Sequence, residues 1–282
     1  MEDNAVRASI PKGKYNTPAQ FLKTALLWNT YAGDLHWFRF SVASFSKFAR
    51  GRFNMVACFV PTRHRDQFRE VCEQHEILLF DRPDWQDKSF NWHQMWQCQA
   101  DMLFPHAGAI WHMDADTVFA APCGPEDWMS NGKLICPYVS FDHLLAGGGR
   151  FGTWQWKSRV DDALGGDAKI ATMTGHPHCH YRNVYAKTRE EVARHTHSWE
   201  KYIHRQQNSF PQGFCEFETL GAIAHRFYHN DYVWRDLQTG THPSIGRTAQ
   251  CLSHGGLDGL HQFPEWLGGT QTPRQLFQRI GL

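Results

Sequence analysis

Ala109-Ile110-Trp111-His112-Met113-Asp114-Ala115-Asp116-Thr117-Val118-Phe119 carries the strongest structural signal in the chain. An apolar run of strand length ends there on two aspartates one residue apart. With 17 aspartates in 282 residues, an Asp-x-Asp triplet arises about once by chance, so its meaning comes from standing at a strand exit. In an open α/β sheet, ligands bind beyond the carboxyl ends of the strands. Paired carboxylates at such an end suit a hard divalent cation that carries a phosphorylated ligand.

Strand-like and helix-like patterns alternate ahead of this stretch. Thr24 to Thr30 is a short apolar run, and Asp34 stands where it would cap a helix with Leu35, Phe38, Val42, Phe45 and Phe48 on its apolar face. Phe53 to Val60 reads as a second buried strand and Arg65 to His75 as an amphipathic helix. Ile77 to Phe80 makes a third strand ending at Asp81, and Phe90 to Phe104 is helical in period before the fourth strand, Gly108 to Met113. This order predicts an α/β fold with a doubly wound, mostly parallel sheet.

The rest of the chain is less regular. Lys133 to Val139 reads as a strand, and the glycines at 147, 148, 149 and 152 break any regular element after it. Trp154 and Trp156 alternate as neighbours on a strand face would. Helices are expected over Glu190 to His204, Glu216 to Phe227 and Pro273 to Ile280. No repeat or linker interrupts the chain, so one domain over 1–282 is expected. A nucleotide-binding half would cover about 20–130 and an acceptor-binding half about 131–282.

Composition narrows the classes. Lys and Arg number 29 against 28 Asp and Glu, which gives no global pull towards polyanions or anionic membranes. One local basic cluster runs from Lys47 through Arg50, Arg52 and Arg63 to Arg65; it reads either as a phosphate-facing patch or as a solvated helix end and loop. The eight cysteines are scattered without Cys-x-x-Cys spacing, which suits reduced thiols. The polar segment Met1 to Lys14 has no signal-peptide core, and no membrane-spanning run is present, so a cytoplasmic protein is expected. Twelve Trp, eight Tyr and eighteen His imply rings on a ligand surface as well as in the core.

The chain resembles the GT-A class of nucleotide-sugar-dependent glycosyltransferases, in particular small phage and bacterial members. The islands that carry the likeness are Asn29-Thr30-Tyr31, Gln97 to Asp101, Asp114-Ala115-Asp116, Cys215-Glu216-Phe217 with Leu220-Gly221, and Ser253-His254-Gly255-Gly256. The resemblance implies a GT-A-like fold and a hexosyl- or pentosyltransferase using a UDP-sugar or related donor. It implies that Asp114 and Asp116 hold Mn²⁺ or Mg²⁺ against the donor diphosphate and that His254 completes the shell. By the same likeness Thr30 and Tyr31 touch the base and ribose. Asp81 accepts from base or sugar hydroxyls, and Gln97 and Asp101, four apart on one helix face, reach the donor sugar or ribose. Turn chemistry and an ordinary helix-surface pair account for these last residues equally well.

Transfer needs a carboxylate on the acceptor side to take the acceptor proton. Glu216, which opens a helix within a matching island, is the first candidate and Glu218 the second. Trp154 and Trp156 would stack on a sugar or base. His176, His178 and His180 share one face if the run is a strand, as zinc binding would require, but the proline between them favours an acceptor-contacting loop containing His178. The phage-like resemblance suggests a hydroxymethylated pyrimidine in DNA as acceptor, with the Lys47 to Arg65 cluster tracking phosphates. Two rival readings are a metal-dependent nucleotidyltransferase and a non-catalytic carbohydrate- or nucleic-acid-binding module. The first lacks a glycine-rich phosphate loop after the first strand, and the second has no need of an aspartate pair.

Overall fold

The computed structural model describes residues 22–83, 89–148, 155–175, 177–206, 213–239, 247–251, 256–263 and 265–282. Thr24–Asn29 (β1), Leu35–Phe48 (α1), Met55–Pro61 (β2), Arg65–Gln74 (α2), Leu78–Arg82 (β3), Ser89–Gln97 (α3), Ala100–Leu103 (α4) and Ala109–Met113 (β4) come first, in strand–helix alternation. Thr117–Phe119 (β5), Met129–Ser130 (β6), Lys133–Ser140 (β7), Phe141–His143 (α5), Lys157–Leu164 (α6) and Ile170–Ala171 (β8) come next. His178–Tyr181 (β9), Arg182–Thr196 (α7), Trp199–Arg205 (α8), Glu216–Phe227 (α9), Tyr232–Asp236 (β10), Thr248–Gln250 (β11) and Pro273–Ile280 (α10) complete the principal elements.

The central sheet has the order β3-β2-β1-β4-β9, parallel throughout except for the antiparallel edge strand β9. The protein is therefore α/β, with a mixed, mostly parallel sheet and about ten helices among the described residues. Every residue of β1 and β4 is buried, because helices cover both faces; that is why these strands read as continuous apolar runs rather than alternating ones. A smaller sheet, β10-β7-β6, and the pair β5–β11 stand beside it. A single hydrophobic cluster contains residues from Ala25 to Ile280.

Helix α1 shows how the sheet is tied to the segment after the aspartates. Its buried face carries Trp37, Phe38, Val42 and Phe45, and between them Ser41 and Ser44. Trp28 Nε1 donates to Ser41 Oγ at 2.9 Å, Ser41 Oγ donates to the Thr117 carbonyl at 2.5 Å, and Ser44 Oγ accepts from Phe119 N at 2.9 Å. The serines thus satisfy backbone groups of β5 that would otherwise be buried unpaired, at a cost of about 1–3 kcal/mol each.

Several elements differ from expectation. The helix expected over Phe90 to Phe104 is two helices, α3 and α4. The one expected over Glu190 to His204 begins earlier, at Arg182, and breaks where His197 takes a left-handed φ of 67°. Trp156 is not on a strand: it is buried and leads into α6, while Trp154 lies outside the described residues. His178 and His180 lie on an edge strand rather than a loop, since β9 pairs with β4, while His176 lies outside the described residues. All eight cysteines are free thiols in buried positions. Among the described residues no helix is long and apolar enough to cross a membrane.

Candidate functional site

Strand order reverses between β1 and β4, since β2 and β3 lie to one side of β1 and β4 to the other. Chains leaving two such neighbouring strands diverge and open a crevice at their carboxyl ends. The register places Trp28 beside Met113, so Asn29 and Asp114 leave the sheet side by side. A turn closed by Thr117 N donating to the Asp114 carbonyl at 3.0 Å comes next. It buries Ala115 and leaves Asp114 and Asp116 at the rim. Both face a cavity of about 520 Å³.

Asp34 lines the same cavity. It stands at the N-cap of α1, yet its side chain makes no cap hydrogen bond. Burial, then the negative charges of Asp116 and Asp114, push its carboxyl up to about 6. The opposite end of the cavity, at the tips of β2 and β3, carries Arg63 and Arg82. Arg82 is only 5% exposed, and its guanidinium lies 5.7 Å from the Phe59 ring centroid. Helix α3 supplies a third wall through Phe90, Trp92, His93 and Trp96. Asn29 pins that helix by donating from Nδ2 to the His93 carbonyl at 2.7 Å. Burial, then the Arg82 charge, lower His93 to about 3, so its imidazole is neutral. The cavity is therefore acidic at the β1/β4 end, cationic at the β2/β3 end and aromatic along one side.

The part of this arrangement whose chemistry suits a hard divalent cation is the neighbouring pair of rim carboxylates. Three carboxylates line one cavity, and the upward shift of Asp34 comes first from burial and then from the charges of Asp116 and Asp114. Among the described residues no group of three or more His, Cys, Asp or Glu side chains is placed to hold a metal ion. Mg²⁺ and similar hard ions commonly take one or two carboxylates and complete their shell with phosphate oxygens and water. Strand β11 also reaches the aspartates: Gln250 Nε2 donates to Asp114 Oδ2 at 3.4 Å, and Cys251 N donates to the Asp116 carbonyl at 2.8 Å. His254 lies outside the described residues.

The remaining candidates are distributed differently. Tyr31 is exposed and lines the cavity, whereas Thr30 is buried beside β2 through a bond from its N–H to the Phe59 carbonyl. A Cβ on Gly33 would sit 2.4 Å from the Tyr31 ring, so the glycine lets that ring fold back over the loop. Asp81 forms an ion pair with Arg65 and accepts from Thr62 Oγ1 at 3.0 Å. Gln97 and Asp101 do not share a helix face, because α3 ends at Gln97 and Asp101 belongs to α4. Asp101 receives a bidentate pair from Arg189 at 2.6 and 2.9 Å, which ties α4 to α7. His178 is buried and stacks on Phe217, with ring centroids 4.0 Å apart. Beside it His180, lowered to about 3 by burial, belongs to the core as well.

Glu216 and Glu218 open α9 and are both buried. Burial pushes each up to about 8, with Asp114 and Glu218 adding to the shift of Glu216. Both therefore hold their protons at neutral pH. Glu218 Oε2 accepts from Thr172 N at 2.6 Å, and Thr172 packs against α9 so closely that a Cβ on Gly221 would lie 1.9 Å from its hydroxyl. Gly221 is the residue that lets the two segments touch.

The basic cluster does not form one surface. Lys47, which donates to the Ile280 and Gly281 carbonyls, and Arg50 and Arg52, paired with Glu76 and Glu126, stand at the far end of α1 and before β2. Arg63 and Arg65 come after β2, roughly 20 Å of strand away. Sequence reading missed Asp34, Arg82 and the α3 face as cavity residues. For Asp34 a signal was present, since it follows the exit of β1 as the aspartate pair follows that of β4. Compared with known protein families and with curated protein sequences, the chain matches none, so the reading of this cavity rests on its own geometry.

Proposed function

We propose that the protein is a divalent-cation-dependent glycosyltransferase of GT-A type that moves a sugar from a nucleotide sugar to an acceptor hydroxyl. The observation that carries this reading is the Asp114–Asp116 pair at the β4 exit, facing a cavity whose far end is cationic. Asp114 and Asp116 would hold Mn²⁺ or Mg²⁺, with Asp34 adding negative charge alongside. Bound there, the cation would offset the charge that develops on the departing diphosphate.

The chain's own residues supply the rest. Transfer breaks the bond between the anomeric carbon and a diphosphate oxygen, which keeps the electron pair. Arg82, fixed by burial, and Arg63 face the same space and stabilise that anion by charge-assisted hydrogen bonds. Tyr31 and the α3 rings offer faces for the base of a UDP-sugar. As the acceptor hydroxyl attacks, its proton must leave. Glu216, buried, holding its own proton at neutral pH and outside the cavity lining, does not take it in this arrangement, so the proton passes to solvent at the cavity mouth.

The test is incubation with Mn²⁺ or Mg²⁺ and a panel of nucleotide sugars, with release of nucleoside diphosphate as the readout. Metal-dependent slow release with at least one donor is expected. No release with any donor, or pyrophosphate release from nucleoside triphosphates instead, would overturn the assignment.

A further inference from the structure

A second concave site lies where α7 gives way to α8. Thr196, His197, Ser198, Lys201, His204 and Arg205 line a cavity of about 340 Å³. His204 and Arg205 follow Lys201 by three and four residues and so flank it on α8, and the left-handed turn at His197 brings a further imidazole to the same hollow. No ion pair with a carboxylate of the described residues engages Lys201 or Arg205. Glu200 is exposed but does not line this cavity. Two fixed positive charges and two imidazoles around one hollow, in a chain whose net charge is only +1, form a concentrated cationic site.

Its position gives it meaning. His204 stands edge-on to the Trp92 ring, with centroids 6.5 Å apart, and Trp92 lines the cavity that holds Asp114 and Asp116. Helices α3 and α8 are locked together there, Asn91 Nδ2 donating to the Gln206 carbonyl at 3.0 Å. A residue lining the cationic hollow and one lining the larger cavity are thus ring neighbours.

We propose that this hollow is a phosphate-binding subsite, separate from the larger cavity and independent of the function assigned to it. Its ligand is a phosphate group, borne either by a small phosphorylated molecule or by a nucleic-acid strand whose chain continues past Trp92. Lys201 and Arg205 provide the charge, and the two imidazoles add donors.

Calorimetric titration of the full chain with inorganic phosphate, and then with a single-stranded oligonucleotide, in the absence of divalent metal tests this. The comparison protein is Lys201→Gln/Arg205→Gln, whose exposed helical positions tolerate glutamine and whose fold is checked by circular dichroism. Phosphate binding weakened about tenfold or more in that variant is the expected result. If the oligonucleotide binds more tightly than phosphate, a salt slope smaller by about 1.4 in the variant assigns the site to a strand. If it does not, the ligand is a small phosphorylated molecule. Equal phosphate binding by both proteins, or none by either, overturns the proposal. Asp114→Asn/Asp116→Asn should leave this binding intact, so failure here and failure of the transferase reading are told apart.

Discussion

The chain carries two acidic pairs with the same spacing, Asp114-x-Asp116 and Glu216-x-Glu218, and the fold gives them opposite surroundings. The first pair ends a strand at the sheet's rim and faces open space with Asp34 for company. The second opens a helix and is buried, its carboxyls held protonated up to about pH 8. A carboxylate at a wet rim keeps its charge and can grip a cation, whereas a desolvated one keeps its proton and acts as a hydrogen-bonding part of the core. Spacing alone therefore says nothing about role; the element that delivers the residues does.

Mutations should separate the two pairs. Replacing Asp114 and Asp116 together by alanine is expected to lower nucleoside diphosphate release by about 10³-fold. The melting temperature should hold or rise, because repulsion with Asp34 is removed. Loss of folding instead would make the rim pair structural and erase the contrast. Glu218→Ala should act the other way, costing about 3 kcal/mol in denaturant unfolding because it leaves a void and strips Thr172 N of its acceptor. Glu218→Gln, which keeps shape and acceptor, should cost under about 1 kcal/mol.

Arg82→Ala tests the cationic end of the cavity, with a rise in donor KM of about tenfold expected and a smaller effect from Arg63→Ala at its exposed position. Unchanged KM would remove the arginines from donor binding. A further prediction concerns pH. A Glu218 pKa raised above its unfolded value means that the native state binds the extra proton. Its contribution is fully present below the unfolded value near 4.5 and is lost as pH rises towards about 8. Stability should fall across that window by up to about 1.4 kcal/mol per pH unit for this group, and Glu218→Gln should remove that share of the slope while leaving the share of Glu216. A wild-type profile that rises through the window would contradict the buried, protonated state.

The regular half was legible because β1, β2 and β4 are buried on both faces and so leave uninterrupted apolar runs, and because an Asp-x-Asp at a strand exit needs only that strand to be recognised. Asp34 has the sequence position of a cap without the cap's bond. Residue statistics at that position reflect a backbone need, and here the side chain turns to the cavity instead. Arg82 was invisible for another reason: nothing in the local sequence tells a buried cation at a strand tip from a surface one. Gln97 and Asp101 look like a helical pair because periodicity persists across the short break between α3 and α4. His178 and His180 meet the spacing of a ligand face, yet that face is the one packed on Phe217, Tyr185 and Tyr232.

Strand β5, directly after the aspartates, pairs with β11 among the described residues, so Gln250 and Asp114 meet across 136 positions of chain. During synthesis the loop bearing Asp114 and Asp116 stays half-built until residues near 250 have left the ribosome. A nascent chain stalled before that point would carry both aspartates and their local turn yet lack the contacts from Gln250 and Cys251 that brace them.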